Sequence, residues 1–391
     1  MSKMPAGESG WNALRGVNVL DFTPLLPGPF ATQMLADLGA NVVKIEPLTG
    51  DFARTFPMEL FRMANRNKRS LALNMKNPAA KAVLEKLVRW ADVAVEAFRP
   101  GVAVRLGIDH ASLRKINPRL IYCSVSGYGQ DGPNRDVPGH DLNYLAAAGA
   151  MSFKGHWLDD RPYRCGLPVA DLAGSSYAAI SILSALLKRQ RDGAGCFIDV
   201  SLADAAMGFV SSRRGFDVDD PGRVHLFPVN DLYQCADGKS IALGMVEEHF
   251  WRNFRNLLGK EQPALLDPRF DTEASRREHG DDVSRILHSL IRTKTAAEWE
   301  GLLAKHDIPV QTALTPREAA QSPQAKARGM FRVLDGETHL PFPVLVDGAP
   351  AGAAKHAAPD IGQHGVEVMQ ELGMSEAEIA ALQKSGAVPP G

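Results

Sequence analysis

Residues 17–46 read VNVLDFTPLLPGPFATQMLADLGANVVKIE. Val17–Phe22 is β-branched and apolar, which predicts a short buried strand. TPLLPGP follows, where three prolines and Gly28 oppose regular structure. FATQMLADL then has helical spacing, and Gly39 stands where a left-handed C-terminal cap is expected. NVVKIE returns as a strand. Strand, loop, helix and strand in such a short span make a βαβ unit, and such units imply a parallel sheet covered by helices.

The pattern continues outward from this unit. Asn77-Pro78 predicts an N-cap with proline at the first helical position, opening a helix that runs to about Trp90. Asp92–Phe98 and Leu120–Val125 read as strands, Leu172–Arg189 as a long apolar helix, and Cys196–Val200 as another strand. The expected fold class is therefore α/β, with a Rossmann-like, doubly wound large domain over residues 1–213. Residues 214–230 are loop-like and rich in Asp, Pro and Gly. Beyond Gly238 come one short strand, SIALG, and then mostly helices, with capping boxes at Thr295/Glu298 and Thr315/Glu318. Residues 225–330 are expected to form a smaller α+β domain. Residues 340–361 are rich in Pro, Ala and Gly and suggest an extended linker. Ser375 and Glu378 then cap a last short helix.

Composition narrows the function classes. At 391 residues the chain exceeds one ordinary core, so two domains are expected. A net charge of −1 gives no overall field favouring nucleic acid or an anionic membrane. MSKMPAGESGW has no apolar h-region, and the apolar run Tyr177–Leu187 falls short of the ~20 residues that span a bilayer. Cys123, Cys165, Cys196 and Cys235 are scattered with no CxxC pair, which suits a reducing cytoplasm and argues against a zinc site. The expectation is a cytoplasmic protein with no nucleic-acid partner, no membrane partner and no metal.

Candidate chemistry is concentrated in residues 126–171, SGYGQDGPNRDVPGHDLNYLAAAGAMSFKGHWLDDRPYRCGLPVAD. Gly127-Tyr-Gly129-Gln-Asp-Gly132 matches a dinucleotide fingerprint, but such a fingerprint must open a helix, and Pro133 and Pro138 oppose one. A loop carrying backbone N–H groups towards a ligand fits better. His140 follows Pro138-Gly139 on a loop after a strand, where α/β sites lie. Asp171 is either the N-cap of the long apolar helix or a proton-handling carboxylate. Glu247 in GMVEEHF reads, alone, as an ordinary helix-start acid. Lys68, Arg69, Lys76, Arg99 and Arg105 form either a solvated face or an anion site for a phosphorylated ligand. The chain has no GxSxG, HExxH or P-loop.

Taken together, LRGVNVLDFTPLLPGPFATQMLADLGANVVKIEP, NRNKRSLALNMKNP, FRPGVAVRLGI, NPRLIYCSVSGYGQDGP, GAGCFIDVSLADAAM and IGQHGVEVMQELGMSEAEIAAL resemble the family III CoA-transferases (the CaiB/BaiF type). That family also contains the α-methylacyl-CoA racemases. The resemblance implies an interlocked homodimer, each subunit a large Rossmann-like and a small domain joined by linkers, with residues 340–391 returning to the large domain. It implies an acyl-CoA substrate, with coenzyme A part of that substrate and no prosthetic group. It puts Asp171 at the family's catalytic aspartate. GHDLNYL is similar to the racemases' histidine motif, which implies His140 as the second acid/base and Glu247 as its orienting partner. It further implies coenzyme A contacts at Lys76, Arg99 and Arg105, with Gly127 and Tyr128 walling the thioester site. HLFPVNDLYQCADG departs from the racemase pattern, and the long PLTGDFARTFPMELFRMANRNKRS segment is more transferase-like. The racemase is the expected activity and the CoA-transferase, with Asp171 as nucleophile, its alternative.

Overall fold

The computed structural model describes residues 11–390 except 57–58, 160, 162–163, 214 and 220–221. Residues 17–46 form β1 (Asn18–Asp21), α1 (Pro27–Asp37) and β2 (Asn41–Glu46), with β1 and β2 parallel. The helix starts earlier than its sequence suggests. Pro27 opens it and Pro29 lies in its first turn, where a missing N–H costs no intrahelical bond. Gly39, just past the C-cap Leu38, takes φ +100° as its position requires.

The chain continues through α2 (Leu60–Ala64), β3 (Arg69–Ala72), α3 (Ala80–Trp90), β4 (Val93–Glu96), α4 (Val102–Leu106), α5 (His110–Ile116), β5 (Ile121–Ser126), α6 (Asp141–Ala147), α7 (Val169–Asp192), β6 (Phe197–Ser201) and α8 (Leu202–Arg213). Among the described residues the main sheet has six parallel strands in the order β3-β2-β1-β4-β5-β6. This is a doubly wound order that reverses between β1 and β4, and open α/β sheets bind ligands outside the carboxyl ends of the strands at such a point.

One strand adds to the sequence reading, and two local readings need correction. RSLA is a strand, β3, too short and too polar at its first residue to show a period. The helix after Asn77-Pro78 starts at Ala80, because the Asn77 side chain instead holds a turn by accepting the Ala79 N–H at 3.0 Å. The apolar run at Tyr177–Leu187 lies inside a helix of 24 residues that is long and apolar enough, by length and composition, to cross a bilayer. Half of its most apolar window is buried, with Ala173, Gly174, Ala178 and Ile182 facing the protein interior.

The described residues divide into two compact units. The first holds the chain up to Ala148, Leu167–Phe209 and the segment from Pro323 onward. The second holds Gly149–Gly166 and Val210–Ser322. It contains the antiparallel strands β7 (Leu232–Gln234), β8 (Ser240–Leu243) and β9 (Val310–Thr312), with α9 (Glu248–Leu258), α10 (Glu273–Glu278), α11 (Gly280–Ile291), α12 (Ala296–Ala304) and α13 (Pro316–Gln321). Trp251, Phe254, Leu287 and Trp299 fill its core. Gly149–Gly166 therefore leaves the first unit, although it falls inside the continuous stretch 1–213. Trp157 anchors it. The Trp157 backbone N–H donates to Asp231 Oδ2 at 2.8 Å and its indole N–H to Asp281 Oδ1 at 3.0 Å. A Cβ on Gly280 would fall 2.0 Å from the indole, so only glycine admits it.

Within the first unit, α14 (Pro323–Arg328) leads to two hairpins, β10 (Arg332–Leu334) with β11 (Glu337–His339) and β12 (Leu345–Val346) with β13 (Ala349–Pro350). Residues 340–361 are not a free linker. Asp37 pins them, its carboxylate accepting the Phe342 N–H at 3.0 Å and its carbonyl the Ala353 N–H at 3.0 Å. The chain ends in α15 (Gly365–Glu371) and α16 (Glu376–Ser385), whose Val368, Met369, Ile379 and Leu382 join Leu71, Leu73, Val83 and Leu87 in one core. The capping boxes at Thr295, Thr315 and Ser375 all form.

Candidate functional site

In a parallel sheet every loop leaving a strand's carboxyl end emerges on one edge. Lys76 lies in the turn after β3, Arg99 and Arg105 in the loop and short helix after β4, and Gly127 and Tyr128 directly after β5. The loop from Gly127 reaches α6, for which His140 is the N-cap residue. Asp171 is in the first turn of α7. Glu247 belongs to the second unit, where it is exposed and is the N-cap residue of α9.

Residues 127–140 contain no helix, and Gly129 and Gly132 take φ +86° and +84°. The glycines at 127 and 139 serve an aromatic ring. Tyr144, on α6, is wedged between them, and a Cβ would fall 2.5 Å from its Cε1 at Gly127 and 2.8 Å at Gly139. The Tyr144 hydroxyl donates to the Gly139 carbonyl at 2.5 Å, and Tyr128 meets its ring edge-on at 5.2 Å. The Tyr144 ring thus sets where the loop ends and where His140 begins the helix. The His140 N–H donates to Asn143 Oδ1 at 3.0 Å, and the imidazole side of the residue is exposed.

Asp171 is not the N-cap of α7, which is Pro168. Asp141 caps the helix instead, reaching across from α6. Its Oδ1 accepts the Ala170 N–H at 2.7 Å and the Asp171 N–H at 3.3 Å. Ser175 Oγ lies 2.7 Å from both the Asp171 and the Pro27 carbonyl oxygens and can donate its one proton to either, which ties α7 to the start of α1. Burial pushes the Asp171 carboxyl up to about 7, and the nearby Asp141 carboxylate pushes the same way. Burial also pushes the Tyr144 phenol up to about 12, with Asp171 and Tyr128 adding to the rise and Arg99 opposing it. Sequence reasoning missed Asp141 and Tyr144. Both stand in GHDLNYL, one and four residues after His140, and that proximity was the signal.

The cations sort into two groups. Lys76, Arg99 and Arg105 are exposed and, among the described residues, enter no ion pair. Lys76 leaves a strand three positions from that of Arg99, about 14 Å at the usual strand spacing. Lys68 and Arg69 are paired within the protein. Arg69 binds Glu367 and Glu371 of α15 at 2.8 and 2.9 Å. Lys68 is fully buried and its ammonium donates to Asp21 Oδ2 at 2.8 Å, Asn65 Oδ1 at 2.7 Å and the Pro29 carbonyl at 2.9 Å.

That lysine is part of a buried polar layer under the reversal point of the sheet. Lys44 donates to the Thr23 carbonyl at 2.6 Å and pairs with Asp51 at 3.0 Å. Asp51 also accepts the N–H of Leu25 at 3.2 Å, a residue held at φ +65°. Burial disfavours the charge on Asp21, yet Lys68 and Lys44 more than offset this and hold its carboxyl well below the usual carboxylate range. The layer therefore fixes the β1–α1 loop. A polar cleft lined by Asn41, Asn67, Arg69, His356, His364 and Glu367 lies at the opposite, amino edge of the sheet and takes no part in this arrangement.

Chemically, the first unit presents a desolvated carboxyl poised near neutrality, a histidine on the adjoining helix start, and exposed cations along the same edge. Among the described residues no group of three His, Cys, Asp or Glu side chains could hold a metal ion.

The model of CoA-transferase family III matches residues 14–365. The chain is 35% identical to an acetyl-CoA:oxalate CoA-transferase of Acetobacter aceti, over 93% of this chain and 96% of that protein. It is 34% identical to the α-methylacyl-CoA racemase of Mus musculus, over 94% of this chain and 96% of that protein. A crystal structure of a CaiB/BaiF family protein from Brucella suis superposes with a TM-score of 0.83 at 29% identity, over 92% of this chain and 99% of that one.

Proposed function

The chain belongs to CoA-transferase family III, and from that premise we propose that it is an acyl-CoA racemase or epimerase acting on 2-methylacyl-CoA thioesters. The observation that carries this reading is the Asp141 bridge. It binds the start of α7, which holds Asp171, to the start of α6, which His140 caps. Two proton-handling groups on one braced pair of helix starts suit removal of a proton from one face of C2 and delivery to the other.

The chemistry balances without a metal or prosthetic group. A base on one face takes the α-proton, leaving an enolate whose negative charge rests on the thioester oxygen. The conjugate acid on the opposite face gives its proton to C2. One turnover in one direction leaves His140 protonated and Asp171 ionised, or the reverse, and exchange with solvent resets the pair. An acid/base group works best with a pKa near working pH, and a carboxyl raised to about 7 by burial and by Asp141 meets that condition. Coenzyme A enters as part of the substrate. Lys76, Arg99 and Arg105 would meet its phosphates, with Gly127 and Tyr128 beside the thioester.

The second reading is a CoA-transferase. In it the Asp171 carboxylate attacks the thioester carbonyl, coenzyme A leaves as thiolate, and the thiolate returns to the aspartyl carbonyl as the donor acid departs. The acceptor carboxylate then attacks this aspartyl-CoA thioester, and the released thiolate takes the acceptor's acyl group from the second anhydride, freeing Asp171. The similarity to the Acetobacter aceti transferase supports this reading as much as the mouse racemase supports the first. His140→Ala separates them. Epimerisation falls about 10²- to 10⁴-fold in the variant if His140 is one of two bases, whereas unchanged epimerisation refutes the two-base assignment.

A homodimer is part of the proposal. Ile180 and Leu187 on α7, with Phe209 on α8, are 57%, 63% and 47% exposed, and apolar exposure on neighbouring helices marks an association face. Light scattering should give a molar mass of two chains; a single-chain mass would overturn this part.

A further inference from the structure

We propose that Asp141 is a positioning residue for the reaction, acting through Asp171 by capping the helix that carries it and by setting its charge. The inference deepens the reading of Asp171 as a proton-handling group and rests on it. Asp141 is the first residue of α6, yet its carboxylate is spent outside α6, on the Ala170 and Asp171 N–H groups of α7. Those two donors lie in the first turn of α7, where backbone N–H groups have no intrahelical partner. Pro168, the N-cap residue, has no side-chain acceptor to offer them. A carboxylate donated from 29 residues away closes the gap.

Two consequences follow from this placement. The cap fixes the backbone of Asp171 relative to α6, so the residue beside Asp141 in sequence, His140, is held in the same frame. The cap is also anionic and adjacent to the carboxyl it positions, so it opposes ionisation of Asp171. The other groups facing Asp171 add little opposing charge. Tyr144 of α6 is neutral at physiological pH, its phenol pushed up by burial, and Arg99 of the loop after β4 acts on Tyr144. From α1 the contact is the Pro27 carbonyl, through Ser175. A neutral cap such as serine would serve the helix equally well. The charge is what serves the site.

Two variants of the full-length protein divide the roles. Asp141→Asn keeps an acceptor oxygen at the cap and removes the charge. Asp141→Ala removes both. The readouts are the titration of Asp171, followed by isotope-edited carboxyl infrared or carbon NMR, the pH dependence of α-proton exchange from a 2-methylacyl-CoA, and the thermal midpoint. For Asp141→Asn the Asp171 titration and the acid limb of activity both move to lower pH, while the thermal midpoint is retained. For Asp141→Ala the same shift appears, and kcat falls about 10²-fold at near-constant KM as the carboxyl loses its alignment. An Asp171 titration that is identical in wild type and Asp141→Asn overturns the proposal, whatever happens to stability. If the titration shifts but the wild type exchanges no α-proton, the proposal about Asp141 stands and the racemase reading fails.

Discussion

Asp171→Asn will abolish turnover and, at pH 8, make the protein more stable than the wild type. Loss of the carboxylate removes the group both enzyme readings require, so activity should fall at least about 10³-fold. The stability gain follows from linkage. The folded carboxyl sits at about 7 against an ordinary 3.8, so between those values the folded state holds a proton that the unfolded chain has released. Stability from this group is complete below pH 4 and is lost as pH rises through 7. The cost at pH 8 is at most about 4 kcal/mol at about 1.4 kcal/mol per pH unit, and about 1–2 kcal/mol once solvent screening of a partly exposed group is allowed for. Asparagine cannot ionise and escapes it. Thermal midpoints of the two proteins should therefore coincide near pH 4 and diverge by pH 8, with the variant higher. Equal midpoints at pH 8 would remove the argument that this carboxyl is held above its ordinary range.

Lys68→Met should be among the most destabilising single changes in the first unit, at about 3–5 kcal/mol. Methionine fills the space, but Asp21 then keeps a buried charge with one fewer partner, and Asn65 and the Pro29 carbonyl each lose a donor. The loss is local in origin, so hydrogen exchange is the better probe. Peptides covering β1, β3 and the start of α1 should exchange faster at pH 7, while those of α9 to α12 in the second unit stay at wild-type rates. Adding Asp21→Asn should return part of the loss, about 1–2 kcal/mol, because the orphaned charge is gone. If Lys68→Met alone leaves exchange in β1–β3 unchanged, the buried layer is not what fixes the β1–α1 loop.

These two positions also show what can be read from a sequence and what cannot. The parallel sheet was legible because Val17–Phe22 and NVVKIE bracket a helical run within thirty residues, and that order leaves few topologies. The reversal between β1 and β4, and with it the edge that carries the site, follows from the same units. Lys68 was misread as a surface cation because a charge series carries no period that marks burial. Only the strand β3, itself too short to announce its presence, turns Lys68 inward to Asp21. Gly149–Gly166 was misplaced for a related reason. Its ties to the second unit run through Trp157 to Asp231 and Asp281, pairings that no local spacing records. Asp171 and His140 stand out as candidates from their local settings, and the motif resemblance implies their roles, whereas the Asp141 cap needed coordinates. A carboxylate capping a helix 29 residues away looks, in sequence, like an ordinary acid in the first turn of its own helix.

The most direct test of the proposed activity follows hydrogen at C2. The wild-type enzyme is incubated in D2O with a (2S)-2-methylacyl-CoA, and in parallel with an acyl-CoA and an isotopically labelled free acid. The two-base account predicts deuterium at C2 with formation of the 2R epimer, and no label passing from free acid into thioester. Label entering the thioester while C2 keeps its protium would contradict it and assign Asp171 the nucleophile's role.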